Sequence, residues 1–334
     1  MMETLNVCPS TLAEGFDTYS PAACKLLFDG KEVPHILGFD SPNNESADKE
    51  EYARHVGRIS LSGVQPKASL VLNADGQLVR PSEGERGQYI LKPAPSSYAL
   101  LERKYCPANE HLSMQIAAQV YHIETAANAL CFFRDGEAAY LTRRFDVAPD
   151  GSKYQQEDLA SLGGLTKANG GSDYKYSNLS YEECAELIRK YTKAAPIEVL
   201  KFFRIVVFNY LILNDDAHLK NFSLMNRGDG EYHLTPAYDL INTSLHLHEP
   251  RIFALDKGLF REGMQLSDTH TIGRKDFEEF GRRIGLSTRL VKRELDFFAT
   301  EQPLAKELIH RSFLSEKLKQ YYWQSYNYRR NTIL

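Results

Sequence analysis

The stretch Leu213-Asn214-Asp215-Asp216-Ala217-His218-Leu219-Lys220-Asn221-Phe222, with Tyr238-Asp239-Leu240 downstream, decides how the rest of the chain is read. It sets two adjacent carboxylates, an imidazole, an ammonium and a carboxamide between the apolar runs Ile205-Val206-Val207-Phe208 and Phe222-Ser223-Leu224-Met225. The nearly continuous apolar run from Val199 to Leu213 predicts a buried central helix that delivers the two aspartates at its C-terminal end. His233-Leu234-Thr235-Pro236-Ala237-Tyr238 predicts a short strand running into Asp239.

Composition bounds what such a cluster can serve. The chain has 334 residues, 43% apolar and 25% charged, enough for two domains or one two-lobed unit. A net charge of -4 leaves no global basic field, so any DNA contact would come from a local patch or a partner. Five scattered cysteines show no metal-ligand spacing and read as reduced thiols. The N-terminus lacks a signal-peptide pattern, and no run approaches the roughly 18 apolar residues of a membrane span. A cytoplasmic protein with no membrane partner is expected.

Upstream, Ser41 to Glu50 reads as a polar loop or helix start. The small polar segment Gly57 to Lys67 enters a predicted sheet, with Gly63 permitting close backbone approach and Lys67 available for phosphate; as a bare pattern, an ordinary turn is the better reading. Ala68 to Val79 predicts a hairpin turning at Asp75-Gly76. Gln88 to Pro93 is a short strand ending at Lys92. Pro107-Ala108-Asn109-Glu110 opens a helix, with Asn109 as its expected N-cap. A strand lysine followed by an early-helix glutamate is the order of an ion pair that holds ATP phosphates, so Lys92 and Glu110 are candidates for that pair. Ala138 to Asp146 predicts a strand turning polar, where Arg144 and Asp146 could equally form a surface pair. The glycine-rich stretch Gly163 to Tyr176 has no periodicity and reads as a mobile loop near substrate. Beyond it, Tyr181 to Tyr191 is an amphipathic helix capped by Ser180. Helical patterns at 276–280, 289–298 and 304–318 close an α-rich lobe.

Phosphoryl transfer needs a base on the acceptor hydroxyl, Mg²⁺ on the phosphates, and cations that offset charge. The spacing Asp216-x-x-x-x-Asn221 with a later Asp239 matches the arrangement of a base and two magnesium ligands. Asn221 and Asp239 offer hard oxygens for Mg²⁺, and Asp216 is left for the acceptor proton. Asp215 competes for that role; only the spacing to Asn221 picks Asp216. Lys220 is near enough in sequence to reach a γ-phosphate. A cluster of helix-end caps and surface pairs is the bland alternative. Zinc hydrolysis would want a second histidine nearby at helical spacing, and none is present.

Seven blocks then occur together in one order: Ile59 to Lys67, Tyr89 to Lys92, Asn109-Glu110-His111, Arg144-Phe145-Asp146, Gln156-Glu157-Asp158, Asn214 to Phe222 and Leu234 to Asp239. In these the chain resembles the HipA-like serine/threonine kinases over about residues 57 to 320. The resemblance implies an α+β, two-lobed protein-kinase-like fold with a small β-rich N-lobe and a large α-helical C-lobe. Residues 1–56 would be an extension packing on the N-lobe, 57–145 the N-lobe, and 146–334 the C-lobe. By the matching positions, Ser62, Gly63, Val64, Gln65, Lys67, Lys92, Arg143, Arg144 and Phe145 would bind ATP. Asp216 would be catalytic, His218, Lys220 and Tyr238 would line the nucleotide site, and Asn221 with Asp239 would hold Mg²⁺.

Two features resemble the short HipT kinases of three-part HipBST toxin–antitoxin systems more than HipA. Only about 56 residues precede the kinase loop, and that loop carries a Ser60-x-Ser62 pair, which in HipT-like kinases is autophosphorylated; Pro66 also agrees with the HipT-like form. This likeness implies a separate HipS-like antitoxin and a HipB-like DNA-binding partner. It further implies a toxin that phosphorylates an aminoacyl-tRNA synthetase, in the HipT branch tryptophanyl-tRNA synthetase, and so arrests translation. The pattern lacks H-R-D and D-F-G, so eukaryotic activation-loop logic does not transfer. Every part of this reading requires Lys92 and Asp239 to share one cleft.

Overall fold

The computed structural model describes residues 5–42, 66–97, 99–264 and 271–334. Most of the segment Gly57 to Lys67, including Ser60, Ser62, Gly63, Val64 and Gln65, lies outside the described residues.

Five antiparallel strands form the first sheet: β1 (Ala68–Leu72), β2 (Leu78–Val79), β3 (Tyr89–Pro93), β4 (Asn128–Phe132) and β5 (Ala138–Arg143), in the order β2-β1-β3-β5-β4. The β1–β2 hairpin turns where Asp75-Gly76 predicts it, with Gly76 at φ +75° and the Asn73 side chain accepting from the Gln77 amide at 2.8 Å. Side chains alternate along β3 and β5. Tyr89, Leu91, Ala139 and Leu141 enter one apolar cluster with the N-terminal segment and α1 (Pro21–Phe28). Ile90 and Lys92 therefore point to the opposite face, and Tyr140 joins the core that includes α2 (Cys106–Gln119). The edge of β4 is covered by the N-terminal segment: Leu130 donates to the Pro9 carbonyl, Phe132 to that of His35, and Leu37 to that of Phe132.

The second lobe is mostly helical. Its centre is α7 (Ala195–Leu211), flanked by α6 (Tyr181–Tyr191), whose N-terminus carries a reciprocal Ser180–Glu183 capping box. A three-stranded antiparallel sheet, β6 (Gln155–Asp158), β7 (Ser223–Asn226) and β8 (Tyr232–Leu234), lies beside it. Four helices close the chain: α8 (Arg274–Arg283), α9 (Thr288–Ala299), α10 (Pro303–Arg311) and α11 (Glu316–Ile333). The chain is thus α+β, a five-stranded sheet lobe set against a mostly helical lobe.

Three local expectations are corrected. Asn109 is not an N-cap: α2 begins at Cys106 with Pro107 in its first turn, where a missing N–H costs nothing, so Asn109 lies inside the helix. The stretch 163–176 is not one irregular loop. Leu159–Leu162, Lys167–Gly170 and Tyr174–Ser177 are single-turn helices α3, α4 and α5, the first two capped by Asp158 and Thr166. The pattern 304–318 is two helices interrupted at 312–315, because Ser315 caps α11.

The lobes are joined through backbone. Ala126 donates to the Ala237 carbonyl at 2.9 Å and Ala237 to that of Glu124 at 2.8 Å. Asn109 Nδ2 donates to the Asn242 carbonyl at 2.8 Å, and His246 accepts from the same amide through Nε2 while its Nδ1 donates to the Leu101 carbonyl.

His111, His218 and His246 are buried, and burial pushes each down to about 4 from an ordinary 6.5. A folded value below the unfolded one means that the unfolded chain binds more protons between these limits, so stability falls as pH drops from about 6.5 toward 4. Urea melts between pH 7.5 and 4.5 should show uptake of about two to three protons on unfolding near pH 5.5. A flat profile would contradict three buried neutral imidazoles.

Candidate active site

Lys92 sits on β3 on the face turned away from α1, and its ammonium is buried between two carboxylates. Nζ donates to Glu110 Oε1 of α2 at 2.5 Å and to Asp239 Oδ1 from the other lobe. The Tyr140 ring lies 5.2 Å away. Lys67, half exposed, approaches Asp239 Oδ2 at 4.0 Å. Burial would drive the Asp239 carboxyl up, but Lys92 and then Lys67 outweigh it and hold the carboxyl well below its usual range. Burial likewise opposes charge on Lys92, yet Asp239 and Glu110 keep it firmly protonated. Glu110 goes the other way, because burial outweighs the attraction of Lys92. Two carboxylates thus face Lys92, and Lys67 adds a second ammonium at the rim. Asp239 itself has φ +55°, a left-handed conformation uncommon for a side-chain-bearing residue.

The residues after α7 form a tightly bonded turn. Leu213 is also left-handed, at φ +55°, and its carbonyl accepts from Thr243 Oγ1 at 2.7 Å. Asn214 Nδ2 donates to Asn209 Oδ1 at 2.9 Å and to the Asp239 carbonyl at 3.2 Å, while its Oδ1 accepts from the Asp216 amide at 3.2 Å. One carboxamide thus ties the helix end, the Asp216 backbone and the Asp239 backbone together. The adjacent aspartates diverge. Asp215 Oδ2 accepts from the Arg251 amide at 2.8 Å, whereas Asp216 Oδ1 accepts from the Tyr176 hydroxyl at 2.7 Å. His218 packs edge-on to Tyr176 with centroids 5.1 Å apart. A 3-10 turn, Leu219–Asn221, follows. The Tyr238 hydroxyl bonds Ser223 Oγ at 2.7 Å and donates to the Lys220 carbonyl at 2.9 Å, so it grips the chain on both sides of Asn221. Phe145 lies against Tyr238 with ring centroids 5.6 Å apart.

The structure brings Lys92, Glu110 and Asp239 into direct contact, with Lys67 at the rim, and sets the Asp216–Asn221 turn against the same backbone. It does not bring every expected side chain there. Arg143 sits on the α1 face and forms a bidentate pair with Asp29 at 2.7 and 2.9 Å. Arg144 is paired with Asp146 at 2.9 and 2.7 Å, and Lys220 with Asp158 at 3.1 Å. Sequence reasoning missed Tyr176, whose stretch carries no periodic signal, and the bracing role of Asn214. Asp239 suits Mg²⁺, being held ionised with its Oδ2 beyond hydrogen-bond reach of Lys67, and a second hard oxygen would come from Asn221, buried in the 3-10 turn.

The family of HipA-like C-terminal domains matches residues 59–304. A Haemophilus influenzae protein described as a "Putative kinase" is 29% identical over 331 residues, covering 94% of this chain and 88% of that protein. A Sinorhizobium fredii protein of the same description, Y4dM, is 32% identical over 232 residues, covering 64% of this chain and 54% of its own length. Shewanella oneidensis HipA, solved with HipB and its operator DNA, aligns with a TM-score of 0.65 at 21% identity, covering 83% of this chain and 65% of that one. The chain thus spans about half to two thirds of Y4dM and of the solved HipA, and most of the Haemophilus protein. It belongs to the HipA-like family, with the family's C-terminal domain running from residue 59 to residue 304.

Proposed function

We propose that the protein is an ATP-dependent serine/threonine protein kinase. The observation that carries this reading is Lys92 held between Glu110 of its own lobe and Asp239 of the other. Such a lysine is placed to hold α/β-phosphates, and the acid beside it to hold the metal. The family and the kinase descriptions of the relatives support the same reading. When bound at Asp239 and Asn221, Mg²⁺ supplies neutralisation of phosphate charge. Asp216 takes the acceptor hydroxyl proton as the new O–Pγ bond forms and the bond from Pγ to the β-phosphate oxygen breaks, its electron pair leaving with ADP. Both neighbouring carboxylates accept a hydrogen bond, Asp216 from the Tyr176 hydroxyl and Asp215 from the Arg251 amide, so the spacing to Asn221 is what selects Asp216. Lys67, Phe145, His218, Lys220 and Tyr238 border the nucleotide; Arg143 and Arg144 would contribute main chain, their guanidinium groups being engaged elsewhere. The division near residue 146 gives Lys92 and Glu110 to one lobe and Asp216, Asn221 and Asp239 to the other.

The biological setting we propose is a toxin of a HipBST-like toxin–antitoxin system, with an aminoacyl-tRNA synthetase as target, tryptophanyl-tRNA synthetase by the HipT likeness. HipS-like and HipB-like proteins would be its partners, the latter making the contact with DNA. The Ser60-x-Ser62 pair and Pro66 support the HipT-like branch. The solved HipA relative bound to HipB and operator DNA supports the partner class.

With γ-labelled ATP and cell lysate, label should appear on protein, and Asp216→Asn or Asp239→Asn should lower the rate by about a hundredfold or more. Label confined to lipid or small molecules would identify a different phosphotransferase, and full activity in both variants would remove the catalytic reading. The loop serines give a second test. Carboxylates in a phosphate-holding loop repel ATP by about 1–4 kcal/mol per close pair. Ser60→Asp/Ser62→Asp should therefore weaken ATP binding by about tenfold or more, read by calorimetry; unchanged affinity would detach that segment from the nucleotide.

A further inference from the structure

Tyr176 lies in a stretch with no sequence signal, yet it is buried and bonded to the acid proposed as the base. Its hydroxyl donates to Asp216 Oδ1 at 2.7 Å. Its position is fixed from three other sides. Its carbonyl accepts from the Asp256 amide at 3.0 Å, its ring meets the His218 imidazole edge-on, and the Lys175 ammonium lies 5.0 Å over the ring. The far end of the 251–256 turn is held by Asp215, whose Oδ2 accepts from the Arg251 amide, and an Arg251–Asp256 ion pair closes the turn. The two neighbouring aspartates are thus connected to opposite ends of one turn, Asp215 directly and Asp216 through Tyr176.

We infer that Tyr176 is a positioning residue that holds the Asp216 carboxylate in the orientation from which it takes the acceptor proton, and ties that orientation to the Arg251–Asp256 turn. The inference rests on the kinase reading above. The phenol bond at Oδ1 limits rotation of the carboxylate, whose roughly four lone-pair directions are shared among its protein partners and the acceptor hydroxyl. Without the phenol, the carboxylate loses a bond that orients it, and a small misplacement of a reacting group costs much rate. Nucleotide binding, which falls to Lys92, Asn221 and Asp239, does not depend on that orientation.

Tyr176→Phe keeps the buried ring and removes only the hydroxyl. Label transfer from γ-labelled ATP to lysate protein would be measured over a range of ATP concentrations, together with calorimetric binding of Mg·ATP and thermal melting, beside Asp216→Asn. The expected result is a maximal rate lower by about ten- to a hundredfold, with the KM for ATP and the calorimetric Kd within about twofold of the parent. A rate equal to the parent's, or a rate and an affinity that fall together, would overturn the positioning role. If Tyr176→Phe does not fold, 3-fluorotyrosine at position 176, which keeps the ring and makes the hydroxyl a stronger donor, must change the maximal rate while the KM for ATP stays unmoved, or the role is refuted. Loss of rate in neither Tyr176→Phe nor Asp216→Asn would refute the kinase reading itself.

Discussion

The ammonium of Lys92 is the point on which both lobes converge. It is buried, so its charge carries a large desolvation cost that one carboxylate offsets only in good geometry. Here it has two, one from each lobe. A buried ion pair of this kind is weak evidence for stability, since apolar residues of like volume often serve as well. On the proposed kinase reading it is preorganisation: a positive charge held where triphosphate oxygens would meet an ionised aspartate. The same contact gives the cleft a defined width, because Glu110 and Asp239 are both tied to one Nζ.

Backbone bonds and carboxamides keep that width from drifting. The Glu124–Ala126 segment and Ala237 exchange hydrogen bonds two residues before Asp239, and Asn109 bonds Asn242 three residues after it. Asn214 then ties the Asp239 carbonyl to the turn that carries Asp216. These are neutral bonds of modest net strength, about 1 kcal/mol each, but an unmade one leaves a buried amide or carbonyl without a partner. The arrangement explains how aspartates far apart in sequence keep a fixed relation while two of the residues involved, Leu213 and Asp239, occupy the left-handed region.

Much of this was legible in sequence because the periodic signals are strong. The Asp75-Gly76 hairpin, the Lys92 strand, the Ser180 cap and the buried central helix each have a local cause, and each lies where that cause puts it. The pairing of Lys92 with Glu110 followed from strand-then-helix order. What was not legible depends on tertiary placement. Nothing local to Tyr176 says that a glycine-rich stretch will fold into single turns and set a phenol on Asp216. Arg143 was assigned by likeness of position, but period-two alternation on β5 sends its guanidinium to Asp29, on the far face from Lys92. Asn109 reads as a cap from its type, and becomes an inter-lobe contact because Pro107 starts the helix earlier.

The central claim is that Lys92 and Asp239 receive one magnesium-bound triphosphate between the lobes. A crystal structure with Mn²⁺ and a non-hydrolysable ATP analogue tests it most directly, since anomalous scattering locates the metal without assumption. The account predicts one manganese coordinated by an Asp239 oxygen, with Asn221 as its other protein ligand and Lys92 Nζ on a phosphate oxygen. Manganese bound away from Asp239, or a nucleotide that leaves Lys92 untouched, would contradict it.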